Sequence, residues 1–275
     1  MVTADDLGLT RGVNDAVREA HLSGIVTATS LLAVGTAFEH AARLARELPD
    51  LELGAHLALV GEDPPLLSAR EVPSLVDDRG AFPLSYRTVV RRGLAGRIDP
   101  DDVRRELGAQ LERVLGVGVP VTHVDTHQHT HLWPPVGAVV AQLAAAADIA
   151  SVRLPTSHAP TLTGLGVRVL ARGTRKQIDR NGRSTTADYA GLDEAGRLDG
   201  DRFARTLRRS ERRGAATLEI NCHPATADDP DLRRFTWGYR WADELEMLVD
   251  PASRQAVADA GYRLGGFRTV VGEAA

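Results

Sequence analysis

The sequence predicts a single-domain α/β protein, a distorted (β/α) barrel of about seven parallel strands. Apolar runs of strand length alternate with segments of helical period along most of the chain. Polar, chemistry-bearing residues recur where those runs end. The 275 residues suit one barrel, with no internal repeat, low-complexity tract or linker to divide it.

Taken in order, residues 2–4 form a very short strand, followed by a helical pattern over 13–22. Residues 25–34 open on β-branched side chains and read as a strand at their start. Helical spacing over 38–48 stops at Pro49, and 51–59 alternates as a strand does. Asp99-Pro100 opens an amphipathic helix over 101–115, then come a strand over 121–125, an Ala-rich helix over 134–147 and a strand over 151–154. A helix over 202–213, a strand over 216–222, one or two helices within 242–260 and a last short strand over 262–267 complete the alternation. Two stretches interrupt it: 61–97, with Pro64, Pro65, Pro73 and Pro83, and 156–200, rich in Gly and Arg. Both are expected to be inserted loops folding over the site and setting its specificity.

Composition narrows the function. At 43% hydrophobic and 25% charged, the chain is an ordinary globular protein with enough apolar content for a core. Its 33 basic and 37 acidic residues leave a net charge of −4, which argues against a nucleic-acid partner. The single cysteine, Cys222, excludes an internal disulfide framework and a thiolate zinc cluster, and fits a reducing compartment. No basic-then-apolar leader pattern opens the sequence, and no run of about 18 apolar residues could span a membrane. A cytoplasmic protein without a membrane span is the expectation.

Four of the nine histidines, His123, His127, His129 and His131, crowd into one segment around Asp125. In a strand, residues two apart share a face, so His123, Asp125 and His127 point one way. Burying imidazoles and a carboxylate together is costly without compensation, which a metal ion or a water-filled mouth supplies. Asp5 and Asp6 follow the first strand, where one carboxylate can ligate a metal while its neighbour faces an attacking water. His56 comes late in an apolar strand, after Gly54, whose missing side chain leaves room for a bulky neighbour. His223 ends the strand in Asn221-Cys222-His223-Pro224. A carboxylate plus two histidines with open positions is the set of a catalytic divalent metal. Trp237, Tyr239 and Trp241 cluster beyond His223, and Trp133 follows the His-rich segment; flat rings suit sugar faces and core packing alike.

These blocks resemble a known family. Thr3-Ala4-Asp5-Asp6-Leu7-Gly8 with Asn14, Gly24–Ser30, Leu53-Gly54-Ala55-His56-Leu57, Thr122–His131, Leu218–Pro224 and Gly261–Gly265 are similar, in order over nearly the whole length, to the YdjC-like (ChbG/HpnK) carbohydrate deacetylases. The resemblance implies a distorted barrel of the glycoside hydrolase/deacetylase superfamily, here one domain over 1–275, that hydrolyses the N-acetyl group of an amino sugar. It implies one divalent ion, Mg²⁺, Zn²⁺ or Mn²⁺, held by Asp6, His56 and His127, with Asp5 as general base paired to Arg153. It also implies a possible homodimer. His223 is the candidate proton donor to the leaving amine, because a histidine titrates near the working pH. His129, His131, Trp237 and Tyr239 are candidate substrate contacts. Two departures stand out: Leu7 replaces the family's usual aromatic, and the motif lies so near the start that a clipped first strand or an upstream start is expected. A metal-dependent phosphoesterase and a non-catalytic sugar-binding barrel are the competing readings.

Overall fold

The computed structural model describes residues 1–272. The strands are β1 (Val2–Leu7), β2 (Ala28–Leu32), β3 (Glu52–Leu57), β4 (Val121–Thr126), β5 (Ser151–Val152), β6 (Asp188–Ala190) and β7 (Leu218–Cys222). The helices are α1 (Arg11–Leu22), α2 (Phe38–Glu47), α3 (Tyr86–Leu94), α4 (Pro100–Leu115), α5 (Pro134–Ala146), α6 (Leu162–Arg180), α7 (Gly200–Arg212), α8 (Trp241–Val249), α9 (Pro251–Asp259) and α10 (Phe267–Gly272). All seven strands pair in parallel, in the order β5-β4-β3-β2-β1-β7-β6, so the sheet curls into a barrel left open between β5 and β6. At that seam Ser184 lies along β5, accepting from Val152 N at 2.9 Å and donating to Ala150 O at 2.8 Å. The strap covers backbone groups that an edge strand would leave bare.

Local chemistry fixes the elements. Thr10 opens α1 by accepting from Val13 N, and Asp99 opens α4 by accepting from Asp101 N with Pro100 at the first helical position. The helices bury one side on the sheet, as with Val13, Ala16, Val17 and Ala20 of α1. The strands are buried on both faces, as a parallel sheet inside a ring of helices requires. Polar residues inside these buried strands therefore need partners, and Asp5, Asp6, His56, Asp125 and Asn221 lie toward the strands' C-terminal ends.

The barrel of seven parallel strands agrees with the sequence reading, yet its membership differs. Residues 262–266 form no strand; the seventh is β6, inside the stretch expected to be loop. That stretch also holds α6, 19 residues long, and 61–97 holds α3. The first strand continues through Asp5 and Asp6 to Leu7 instead of stopping at Ala4.

Candidate active site

Asp5 and Asp6 occupy the end of β1, where its register with β2 breaks between Ala4 and Leu7. Asp6 has a φ of 65°, in the left-handed region that non-glycine residues seldom enter. In a regular strand two successive side chains face opposite sides. Here both carboxylates line one cavity of about 360 Å³ at the C-terminal mouth of the barrel. Asn14 of α1 holds the turn that follows, accepting from Gly8 N at 2.7 Å and donating to Ala37 O at 3.2 Å.

Three strand ends converge beside Asp6. Its Oδ1 lies 3.0 Å from His127 Nδ1 and 3.3 Å from His56 Nε2, and those two nitrogens are 3.3 Å apart. Donor atoms around an ion at about 2.1 Å are separated by about 3.0–3.4 Å, so these three could hold a divalent cation. Asp6 Oδ2 is buried and has no hydrogen-bond partner. On the far side of its ring, His56 Nδ1 lies 2.5 Å from Asp125 Oδ1; this carboxylate accepts from Nδ1–H and turns Nε2 toward the cluster. Burial opposes a charged His56, but Asp125 and Asp6 outweigh it and push its pKa up to about 10. Asp6 is likewise held well below the usual carboxylate range, with His127 and His56 overcoming the desolvation that would raise it. Asp5, His56 and Asp125 also approach one another, but Asp125 already serves the Nδ1 of His56 and the guanidinium of Arg153.

His123 does not join them. A side chain at Gly54 would meet its Nε2 at 2.2 Å, so the ring fills the space the glycine leaves, and it stacks on Phe267 at 3.8 Å. Burial lowers its pKa to about 3. His127 lies just past β4, in a 3₁₀ turn whose Gln128 and His129 have φ of 49° and 52°.

Arg153 lies beneath the cavity, fully buried. Its Nη1 and Nη2 grip Asp5 in a fork at 2.7 Å each, Nη1 is 2.8 Å from Asp125 Oδ2, and Nε donates to Glu219 Oε1 at 2.8 Å. Asp5 further accepts from Asn221 Nδ2 at 3.0 Å and Ser30 Oγ at 3.2 Å, so its orientation is fixed. Burial works against the Arg153 charge, but Asp125, Asp5 and Glu219 hold its pKa well above the usual value. Burial raises that of Glu219, whose Oε2 has no partner. One guanidinium thus faces three carboxylates, Asp5, Asp125 and Glu219, while Asp6 is held separately by His56 and His127.

His223 points its Nε2 to 3.9 Å from Asp5 Oδ2, while its backbone N–H donates to Glu244 Oε2 at 2.7 Å. Trp237 and Tyr239 line the cavity; Trp237 lies 5.1 Å from the His127 ring and Tyr239 4.9 Å from the His223 ring. His129 lines it too, with Nε2 3.1 Å from Tyr189 Oη and Nδ1 unpartnered. His131 is placed elsewhere. It is fully buried, with Thr126 Oγ1 at 2.6 Å and Arg153 O at 3.0 Å on its two nitrogens, and it does not border the cavity. The expected substrate contact at His131 is thus a buried brace behind Arg153. The sequence reading left Asp125, Glu219, Asn221 and Tyr189 without individual roles. The signal was present for three of them: carboxylates and an amide inside fully buried strands need a charged or polar partner. Both interrupting stretches reach the mouth, through Leu84, Ser85 and Tyr86 and through Leu192 and Ala195. Cys222 is buried, and burial raises its thiol pKa, so it packs as an apolar group.

An open parallel (β/α) barrel with carboxylates and histidines gathered at its strand ends has the architecture of a barrel with one polar, ligand-ready mouth. The chain belongs to the YdjC-like protein family, whose pattern matches residues 1–259. It is 32% identical over 268 residues to the chitooligosaccharide deacetylase of Salmonella typhimurium, covering 97% of each chain. It is 35% identical over 271 residues to the carbohydrate deacetylase of Geobacillus stearothermophilus, covering 98% of this chain and 96% of that one. A crystal structure from Enterococcus faecalis V583, whose description connects it with cellobiose-phosphate cleavage, superposes with a TM-score of 0.81 at 24% identity. It covers 98% of this chain and 97% of that one, and supports the fold. Among the described residues no helix is long and apolar enough to cross a membrane.

Proposed function

We propose that this chain is a metal-dependent carbohydrate N-deacetylase that hydrolyses the acetyl group of an amino sugar. The carrying observation is the set of three donor atoms within 3.3 Å, opening on a cavity walled by Trp237 and Tyr239. Relatives named chitooligosaccharide and carbohydrate deacetylase support the substrate class. Asp6, His56 and His127 would hold one divalent ion, and two imidazoles with one carboxylate favour Zn²⁺ or Mn²⁺ over Mg²⁺. The buried acidic excess around Arg153 and the orphaned Asp6 Oδ2 fit a cation there. Once bound, such an ion supplies Lewis-acid polarisation of the acetyl carbonyl and a water of lowered pKa.

The remaining chemistry belongs to the chain. Asp5, oriented by the Arg153 fork, takes a proton from water as the water oxygen bonds to the acetyl carbon. His223 gives a proton to the sugar nitrogen as the C–N bond breaks, so acetate and a free amine leave. Trp237 and Tyr239 offer flat faces to the sugar ring, and His129 adds an imidazole to the cavity wall. None of the described side chains lining the cavity is Arg or Lys, which disfavours an anionic phosphoester. A pure binding barrel would not need Asp5 fixed beside His223.

The test is acetate release from chitooligosaccharides by protein stripped with chelator and reloaded with Zn²⁺, Mn²⁺ or Mg²⁺. Acetate should appear in step with free amine, vanish on chelation and return with the ion. Activity that survives complete chelation would sink metal dependence; silence on N-acetylated sugars under every ion would sink the deacetylase reading.

A further inference from the structure

We propose that an apolar cavity beside the catalytic one is a second compartment of the substrate site, taking an apolar substituent carried by the amino sugar. The proposal rests on the deacetylase reading for its sugar, and on its own geometry for its chemistry. The cavity, about 310 Å³, lies between α3 and α6. Val89 and Val90 of α3, Val167 and Leu170 of α6, and Leu132 with Trp133 form its apolar lining. Thr130, Ser157, Thr161, Thr163 and Asp193 add polar groups, and Asp193 is already bound to Ser157 Oγ and to the N–H groups of His158 and Ala159. Tyr86, Gln128, His129 and Leu192 border both cavities. The two cavities thus adjoin at His129, and a molecule seated at Asp6 that reaches past this ring enters the apolar compartment.

The walls are set by close packing. A side chain at Gly93 would strike the Trp133 indole at 2.7 Å, and one at Gly164 would strike Ala159 O at 2.4 Å. The compartment is thus preformed, which spares a ligand the cost of ordering it. Its apolar character continues outward: among the described residues, six of the eight exposed large hydrophobic ones, Leu84, Tyr86, Leu94, Leu162, Leu165 and Val169, belong to the two segments that wall it. A bare sugar gains little there, since most of its hydroxyls would exchange water for valine, leucine and indole wall. An alkyl or aryl chain gains about fourfold in affinity for each methylene buried.

Such a chain can hang from the anomeric oxygen or replace the methyl of the acyl group, and two substrate series separate these sources. One series is N-acetylglucosamine with methyl, butyl and hexyl β-aglycones; the other is methyl glucosaminide with N-acetyl, N-butyryl and N-hexanoyl groups. For both, binding to the full chain is measured by calorimetry, and turnover is measured separately. One series should gain tenfold or more in affinity and in kcat/KM from its shortest to its longest member, and that series identifies the attachment point. Val167→Trp, which fills the compartment, should flatten the rise, and Leu170→Ala, which enlarges it, should move the optimum to longer chains. A flat dependence in both series, or a rise untouched by both variants, overturns the proposal. Chain-length-dependent binding that responds to both variants without amide cleavage keeps the compartment and removes the deacetylase reading instead.

Discussion

At the scale of single residues, the two neighbouring aspartates divide cleanly by their partners. Asp5 is saturated by Arg153, Asn221 and Ser30, whereas Asp6 faces only His56 and His127 and keeps one oxygen bare. Asp6→Ala should therefore lose bound ion and activity together. Asp5→Asn should keep the ion and lose about 10²–10⁴ in kcat, the scale of general-base catalysis. Metal content and turnover measured side by side decide it: loss of the ion from Asp5→Asn with retention in Asp6→Ala would exchange the two roles. Asp5, Asp6, His56, His127 and His223 were legible in the sequence because each ends an apolar strand with a group that burial alone would penalise. Asp125 was legible as a polar residue on that face but not as the brace of His56, since a pairing between neighbouring strands follows from register. His131 misled for the same reason: after Gln128 and His129 turn left-handed, the two-residue periodicity of β4 no longer says where a side chain points.

Among the elements, α3 shows how a segment read as loop is anchored to the site. Gln128 accepts from Tyr86 N and donates to Leu84 O, both at 3.0 Å, and so ties the start of α3 to the turn that carries His127. Gln128→Ala removes both bonds, worth about 2 kcal/mol together. Amide exchange across residues 84–94 should then quicken by about thirtyfold while β4 stays protected. Unchanged exchange would mean that α3 is held by its packing on Trp133 alone. The strands and helices with regular apolar spacing, β2 to β4 and α1, α2, α4 and α5, were legible within a few residues. The 19-residue α6 was not, because Gly164, Gly166 and Gly173 mimic loop composition and the tertiary contacts made through Gly164 override propensity. Nor was β6, whose Asp188–Ala190 offers only three residues and no apolar run. Residues 262–266 carry strand-like composition but follow β7 on the closed side of the sheet, where β1 and β6 already occupy both edges of β7.

For the whole molecule, buried histidines set the acid limit. Burial lowers the pKa of His123 to about 3 and that of His131 to about 4, against an unfolded value near 6.5. Above pH 6.5 both states hold these rings neutral and the stability they permit is fully present. As pH falls toward 4 the unfolded chain takes up protons that the folded chain refuses, and stability drops by about 1.4 kcal/mol per pH unit for each histidine. His56, whose pKa is raised, keeps its proton in the ion-free fold while the unfolded ring protonates through pH 6.5, so it offsets part of the loss above pH 6 and little below it, and His129, whose pKa burial also lowers, adds to the loss. Urea midpoints at pH 7, 6 and 5 should therefore fall progressively, with about 3 kcal/mol or more lost between pH 6.5 and 5. A midpoint that holds level to pH 5 would contradict neutral burial of the two rings.

The pairing of β1 with β7 has a consequence in time. Strands β1 to β5 are neighbours in space in the order the chain presents them, but Val2 pairs with Ile220 across nearly the full length of the polypeptide. Closing so long a loop is slow compared with the local pairings that precede it. Asn221 and Glu219, which complete the polar cradle of Asp5 and Arg153, ride on that last strand. Most of the sheet can thus be built while its reaction centre is still missing a wall. In refolding from urea, far-ultraviolet signal should return before tight ion uptake, and a chain interrupted before β7 would hold secondary structure with an unfinished catalytic pocket.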